Sequence, residues 1–110
     1  MTKTNIMNLI YHIVSAADWA RQESQPSYEA TSLQTEGFIH LSTKEQVAGT
    51  LSRYYQHVPD LLLLHVDTDK LTSDLRYELA TNQEPFPHLY GPLNKEAVVQ
   101  IDTLTGQSSL

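Results

Sequence analysis

Chemistry at neutral pH needs groups that exchange protons or hold charge, and this chain carries them in a few distinct settings. His40 lies in Gly37-Phe38-Ile39-His40-Leu41-Ser42-Thr43-Lys44-Glu45, a short apolar run that turns at once into a helix-start signal. Ser42 and Glu45 have the spacing of a capping box. That places His40 at a strand end beside the free N–H groups of a helix N-terminus, where Ser42 and Thr43 would welcome an anion. His12 repeats the pattern in Ile10-Tyr11-His12-Ile13-Val14-Ser15, with Ser15 and Asp18 as a second cap. Two such units converge if their strands are neighbours; otherwise these are histidines satisfied by backbone carbonyls.

Glu78 stands in Leu75-Arg76-Tyr77-Glu78-Leu79, an alternating strand pattern. A carboxylate aimed into a pocket would orient a hydroxyl or steady developing positive charge. The structural alternative is a Glu78 that points to solvent or pairs with Arg76 or another base. Pro85-Phe86-Pro87-His88-Leu89-Tyr90-Gly91-Pro92-Leu93 contains three prolines and reads as a rigid loop. It would present His88 and Tyr90 as one wall of a site. His57 falls at a helix C-terminus, where a cationic imidazole suits the dipole. His65 ends an apolar strand and reads as a satisfied histidine.

Metal binding is a further reading, because neutral imidazoles at His12, His40 and His88 with Glu78 would suit zinc, iron or nickel in a metal-dependent hydrolase. No His-x-His or His-x-x-x-His pair supports it. No Gly-x-Ser-x-Gly elbow and no glycine-rich phosphate loop occur.

The elements that must carry these groups follow from periodicity. Leu9 to Val14 is β-branched and aromatic and predicts a first strand. A short helix through Trp19, Ala20 and Arg21 should end before Pro26, and residues 24–27 should form a loop. A second helix is expected from Thr43 to His57, with Val47, Leu51, Tyr54 and Val58 on its apolar stripe and Pro59 as its stop. Leu61-Leu62-Leu63-Leu64-His65-Val66-Asp67 lacks alternation and predicts a central strand buried on both faces. Residues 67–71 are expected as a turn or a single helical turn, and Ala97 to Leu104 as a last strand. Residues 1–7 and 106–110 read as loose ends. Strands and helices mix without strict βαβ order, which indicates the α+β class.

Composition sets the limits. A chain of 110 residues suggests a single domain over 1–110. It has no cysteine, which excludes disulfides and thiolate metal sites. The net charge of −6 and the scattered basic residues argue against duplex nucleic acid as a partner. A small-molecule ligand is the expected partner, with a protein partner left open. No apolar run approaches a membrane span, and no secretory h-region is seen, so a cytoplasmic location is expected.

The segments around Tyr11-His12, Glu36 to Thr43, Leu61 to Asp67, Arg76 to Glu78 and Phe86 to Leu93 together resemble the bacterial family called domain of unknown function 952. The resemblance spans about residues 8–104. It implies the ADP-ribosyltransferase-like fold, a split β-sheet with two or three short helices that binds NAD in its cleft. Tyr11-His12 is similar to the first-strand aromatic-His of NAD-using transferases, and Ile13 stands where their pattern has glycine. Ile39-His40-Leu41-Ser42 resembles the Val-His-Leu-Ser segment of RNA 2′-phosphotransferases. On this resemblance NAD is the expected cofactor, His12 would bind a ribose hydroxyl, and His40, Ser42 and Thr43 would meet a phosphate or ribose. Glu78, with His40, would be catalytic in an ADP-ribosyl or phosphate transfer, and His88 and Tyr90 would bind ligand. A non-catalytic metabolite- or protein-binding module is the alternative.

Overall fold

The computed structural model describes residues 8–80 and 82–104. The segments expected as loose ends, 1–7 and 106–110, lie outside these residues.

The β-branched run after Asn8 forms strand β1, Leu9–Ser15. Ser15 ends it and caps helix α1, Ala16–Arg21, by accepting the Asp18 N–H at 3.0 Å. The expected loop then yields a short strand β2, Ser27–Tyr28, and the chain adds a helix α2, Thr31–Thr35, that periodicity did not indicate. Strand β3 is only Ile39–His40.

The next helix start differs from expectation by one residue. Thr43, not Ser42, forms the capping box, and its partner is Gln46: the Gln46 Oε1 accepts the Thr43 N–H at 2.9 Å. A 3-10 turn, Lys44–Gln46, leads into α3, Val47–Tyr54. That helix is shorter than the expected Thr43–His57. The helix ends at Tyr54 with Tyr55 as its C-cap, and His57 then takes left-handed backbone at φ 66°, so the helix stops before it reaches Pro59. Its expected stripe is not a core face either, since Tyr54 is 71% exposed.

Strand β4, Leu61–Asp67, is central as expected, between β1 and β8, Val98–Leu104. It is not buried on both faces. Leu64 and Val66 point into the core, whereas Leu63 and His65 are half-buried on the other face. The strand belongs to an antiparallel sheet, where the second face need not be covered.

Residues 85–90, expected as a loop, form strand β6, Pro85–Tyr90. It is the middle strand of a second antiparallel sheet, ordered β3-β6-β5, where β5 is Asp74–Leu79. Prolines fit this position for a specific reason. Pro87 O accepts the Leu41 N–H at 3.0 Å and Pro85 O accepts from Gln46 Nε2 at 2.8 Å, so both proline nitrogens face β3. The side of β6 that must donate to β5 holds Phe86, His88 and Tyr90 instead. Gly91 then turns the chain at φ 151°, with Ser73 packed where a side chain would stand. Strand β7, Leu93–Asn94, pairs with β2.

The segment after β3 joins the two larger sheets. Leu41 bonds β6, and Ser42 exchanges two main-chain hydrogen bonds with Tyr11 of β1, each 2.8 Å. The core lies between the sheets. Ile10 and Val14 from β1, Leu64 and Val66 from β4, Ile39, Leu89, Leu93 and Tyr28 form it, and Trp19, Leu33 and Leu75 pack against its edge. The fold is thus mixed α+β, with several antiparallel sheets and a few short helices. No helix among the described residues is long and apolar enough to cross a membrane.

Candidate functional site

Alternation along three short strands builds one polar, ring-rich face. In β6, Leu89 and Pro87 enter the core, which turns His88 and Tyr90 outward. In β5, Arg76 is opposite His88 and Glu78 opposite Phe86, so both project on that same outer face. In β3, Ile39 is fully buried and His40, opposite His88, is exposed.

The side chains on this face touch. Glu78 Oε1 accepts two hydrogen bonds, from Tyr90 Oη at 2.6 Å and His88 Nδ1 at 2.7 Å. The His88 ring stacks on Phe38 at 4.0 Å between centroids. The His40 ring stands edge-on to both Phe38 and His88, at 4.8 and 5.4 Å. Arg76 lies over the Tyr90 ring at 4.5 Å and binds Asp74 through Nε at 2.7 Å.

Charge follows from these contacts. The hydrogen bonds from Tyr90 and then His88 hold the Glu78 carboxyl below its ordinary range, so it is ionised at neutral pH. The same bond raises the Tyr90 phenol. Both donors use Oε1, and Glu78 Oε2 makes no hydrogen bond among the described residues. A fixed, charged acceptor is thereby left open beside a platform of rings.

Four of the residues anticipated from sequence, His40, Glu78, His88 and Tyr90, come together here. His12, Ser42 and Thr43 do not. The His12 ring is enclosed on the core side: Nδ1 donates to the His40 carbonyl at 2.7 Å, and Nε2 accepts from the Tyr28 hydroxyl at 2.9 Å. Burial lowers its pKa to about 4, which keeps it neutral, and burial raises the Tyr28 phenol. Ser42 is buried with its Oγ 3.1 Å from Thr50 Oγ1. Thr43 serves the turn described above. The expected meeting of His40 with a helix N-terminus does not occur, because its ring points away from the turn and its Nε2 lies 3.0 Å from Glu36 Oε1.

Three members were missed in the sequence: Glu36, Phe38 and Arg76. Phe38 and Arg76 lie two residues from His40 and Glu78, the spacing that puts strand residues on one face, so alternation would have found both. His65 sits apart, with Nε2 2.8 Å from Asp102 Oδ2. No three His, Cys, Asp or Glu side chains among the described residues gather closely enough to hold a metal ion.

These features define a class: a small α+β domain of antiparallel sheets that displays a histidine–tyrosine–carboxylate face. The chain belongs to the family described as Protein of unknown function (DUF952), whose model matches residues 13–101. It is similar to protein CC0527 from Caulobacter crescentus. The crystal structure of that protein superposes with a TM-score of 0.81 at 36% identity, covering 87% of this chain and 85% of that one. A crystal structure of its double methionine variant gives 0.80 at 35% identity, with coverage of 87% and 85%. Its solution NMR structure gives 0.75 at 32%, covering 94% and 97%. No functionally curated protein matches the chain.

Proposed function

We propose that the outer face of the β3-β6-β5 sheet is a binding face for a small ribose-bearing ligand of the NAD or ADP-ribose class. The observation that carries this reading is the double hydrogen bond from Tyr90 and His88 to one oxygen of Glu78. A carboxylate fixed in this way, with its other oxygen open, suits the paired hydroxyls of a ribose. The Phe38 ring, backed by the stacked His88, offers a flat surface to a base or nicotinamide ring. Arg76 supplies a cation within reach of a phosphate. The resemblance of the sequence to the ADP-ribosyltransferase-like fold points to the same ligand class. In this reading His12 holds β3 in place and does not touch the ribose.

Binding without turnover is the form of this function that the geometry favours. Glycosidic cleavage at the nicotinamide ribose would place oxocarbenium-like charge beside Glu78. That stabilisation is strong only where water is excluded. Here Glu78 is 38% exposed and His40 54%.

Titration of the protein with NAD and with ADP-ribose, followed by the NMR signals of the histidine and tyrosine rings, tests the proposal. Saturable shifts at His40, His88 and Tyr90 are expected, with His12 little moved. Absence of shifts at millimolar ligand would reject the ligand class. Chromatography of the NAD sample should show no free nicotinamide; its release would establish an enzyme instead.

A further inference from the structure

Strand β5 is an edge, and its free side can be assigned residue by residue. Because the peptide edge of Pro87 faces β3, the residues of β6 that bond β5 are Phe86, His88 and Tyr90. Their partners Glu78, Arg76 and Asp74 turn their main-chain groups inward. Leu75, Tyr77 and Leu79 therefore direct N–H and C=O away from the sheet, and nothing among the described residues pairs with them.

Proteins commonly blunt such an edge with proline, lysine or a bulge. Strand β8, an edge of the other three-stranded sheet, does so: its register with β4 shifts between His65 and Val66. Strand β5 has no proline, lysine or bulge, its register with β6 is unbroken over Asp74–Leu79, and its charged residues Asp74, Arg76 and Glu78 all lie on one face and carry both signs. It also displays two large apolar side chains to solvent, Tyr77 at 54% and Leu79 at 65% exposure.

The sequence about Tyr77 is self-complementary. An antiparallel copy of β5 centred there sets Tyr77 against Tyr77, Leu75 against Leu79 and Arg76 against Glu78. In that register the outward-facing residues become the hydrogen-bonded pairs, giving about six new main-chain hydrogen bonds. The two-fold axis stands perpendicular to the sheet, so the Arg76–Glu78 contacts form on the outer face. Arg76 uses Nε for Asp74 and leaves its terminal nitrogens, and Glu78 leaves Oε2. A register moved by two residues would oppose Glu78 to Glu78 or Arg76 to Arg76, which is repulsive.

From this edge we infer that the protein associates with a second copy of itself through β5, making one continuous six-stranded antiparallel sheet across a two-fold axis at Tyr77. Each copy then brings its Arg76 to the other's Glu78 on the face described above, where one lone pair of Oε2 accepts from the guanidinium and the second stays open to a ligand hydroxyl. The association stands on the strand edge and not on the identity of any ligand.

Sedimentation velocity of the full chain over a range of concentrations should show a reversible dimer. Tyr77→Lys and Leu79→Lys, both at exposed positions, should each give a folded monomer by circular dichroism and sedimentation. The register has its own test. Paired residues in a hydrogen-bonded pair lie about 5.5 Å apart at Cα, within disulfide reach. The native chain has no cysteine. Tyr77→Cys should therefore cross-link to dimer on mild oxidation, while Leu79→Cys, four residues out of register with itself, should not. A monomer at every concentration would overturn the proposal. So would a dimer untouched by either lysine, or cross-linking that does not distinguish residue 77 from 79.

Discussion

The His12 ring and the His40 main chain are joined by a hydrogen bond of 2.7 Å from Nδ1 to the carbonyl oxygen. The two imidazoles are therefore linked through backbone and lie on different sides of it. His12 spends Nδ1–H on that carbonyl and takes the Tyr28 proton at Nε2, so neither nitrogen remains for a ligand. Its effect on the outer face is indirect: it anchors a strand of only two paired residues, Ile39 and His40. That strand presents the His40 ring to Phe38 and His88.

Acid should loosen this anchor before it reaches the carboxylates. Burial holds His12 at about 4 when folded, against about 6.5 in an unfolded chain. Between those values the unfolded state binds the extra proton, so stability is full above pH 6.5 and falls as the pH drops toward 4. The loss is about 2 kcal/mol by pH 5 and about 3 kcal/mol below pH 4. Glu78 and Asp102, both lowered, act in the same direction but only below the ordinary carboxylate range. Urea unfolding at pH 7, 6 and 5 should show the decline in the native protein, and His12→Phe should flatten it while lowering stability at pH 7. An equal slope in the variant would remove His12 as its cause.

Tyr90 should report the charge of Glu78. The phenol is raised because its proton is shared with a carboxylate. Glu78→Gln keeps an acceptor oxygen but removes the charge, so the Tyr90 titration should move down toward the ordinary tyrosine value of about 10. Tyrosine labelled at its ring carbon allows the midpoint to be followed by NMR. An unchanged midpoint would mean that the two side chains are not coupled in solution.

Strands β1 and β4 were legible because β-branched and leucine-rich runs announce themselves, and β5 because its residues alternate. Strand β6 was not, because prolines read as loop unless the direction of each missing N–H is known, and that direction is set by the pairing with β3. Helix α2 escaped notice for a related reason. Thr31-Ser32-Leu33-Gln34-Thr35 contains weak helix formers, and its N-cap, Ala30, offers no side-chain hydrogen bond. At the site, Glu78, His88 and Tyr90 were each visible as types. Their convergence depends on the β5–β6 register, which pairs Arg76 with His88 and Glu78 with Phe86. The matching settings of His12 and His40 left open whether the two units converge or each histidine is satisfied by a backbone carbonyl; for His12 it is the second, through the His40 carbonyl. Which face each ring would take depended on how β3 crosses from β6 to β1, and local pattern holds no record of that.

Burial, not helical periodicity, should decide the cost of apolar truncations. Ile39 and Leu89 are paired across β3 and β6 and both are fully enclosed. Ile39→Ala should cost about 2–5 kcal/mol, with a matching fall in the urea midpoint. Tyr54→Ala removes a larger side chain, yet Tyr54 lies on the exposed side of α3 and should change stability by less than about 0.5 kcal/mol. Comparable losses at the two positions would show that α3 packs through Tyr54 after all.

Gly91 should tolerate no side chain while Ser73 stays where it is. A Cβ at residue 91 would come within 2.5 Å of Ser73 Oγ and 2.8 Å of its Cβ, and the backbone there has φ 151°. Ser73 is held by its own hydrogen bond, Oγ to the Pro92 carbonyl at 2.7 Å, so it cannot step aside without losing that bond. Gly91→Ala should therefore destabilise the protein by more than about 1 kcal/mol. Ser73→Gly clears both contacting atoms but leaves the unfavourable φ. The double variant should accordingly cost less than the sum of the two single changes, by a coupling of about 0.5–3 kcal/mol measured from urea midpoints. Strict additivity would show that backbone conformation alone, and not the contact with Ser73, demands glycine at this turn.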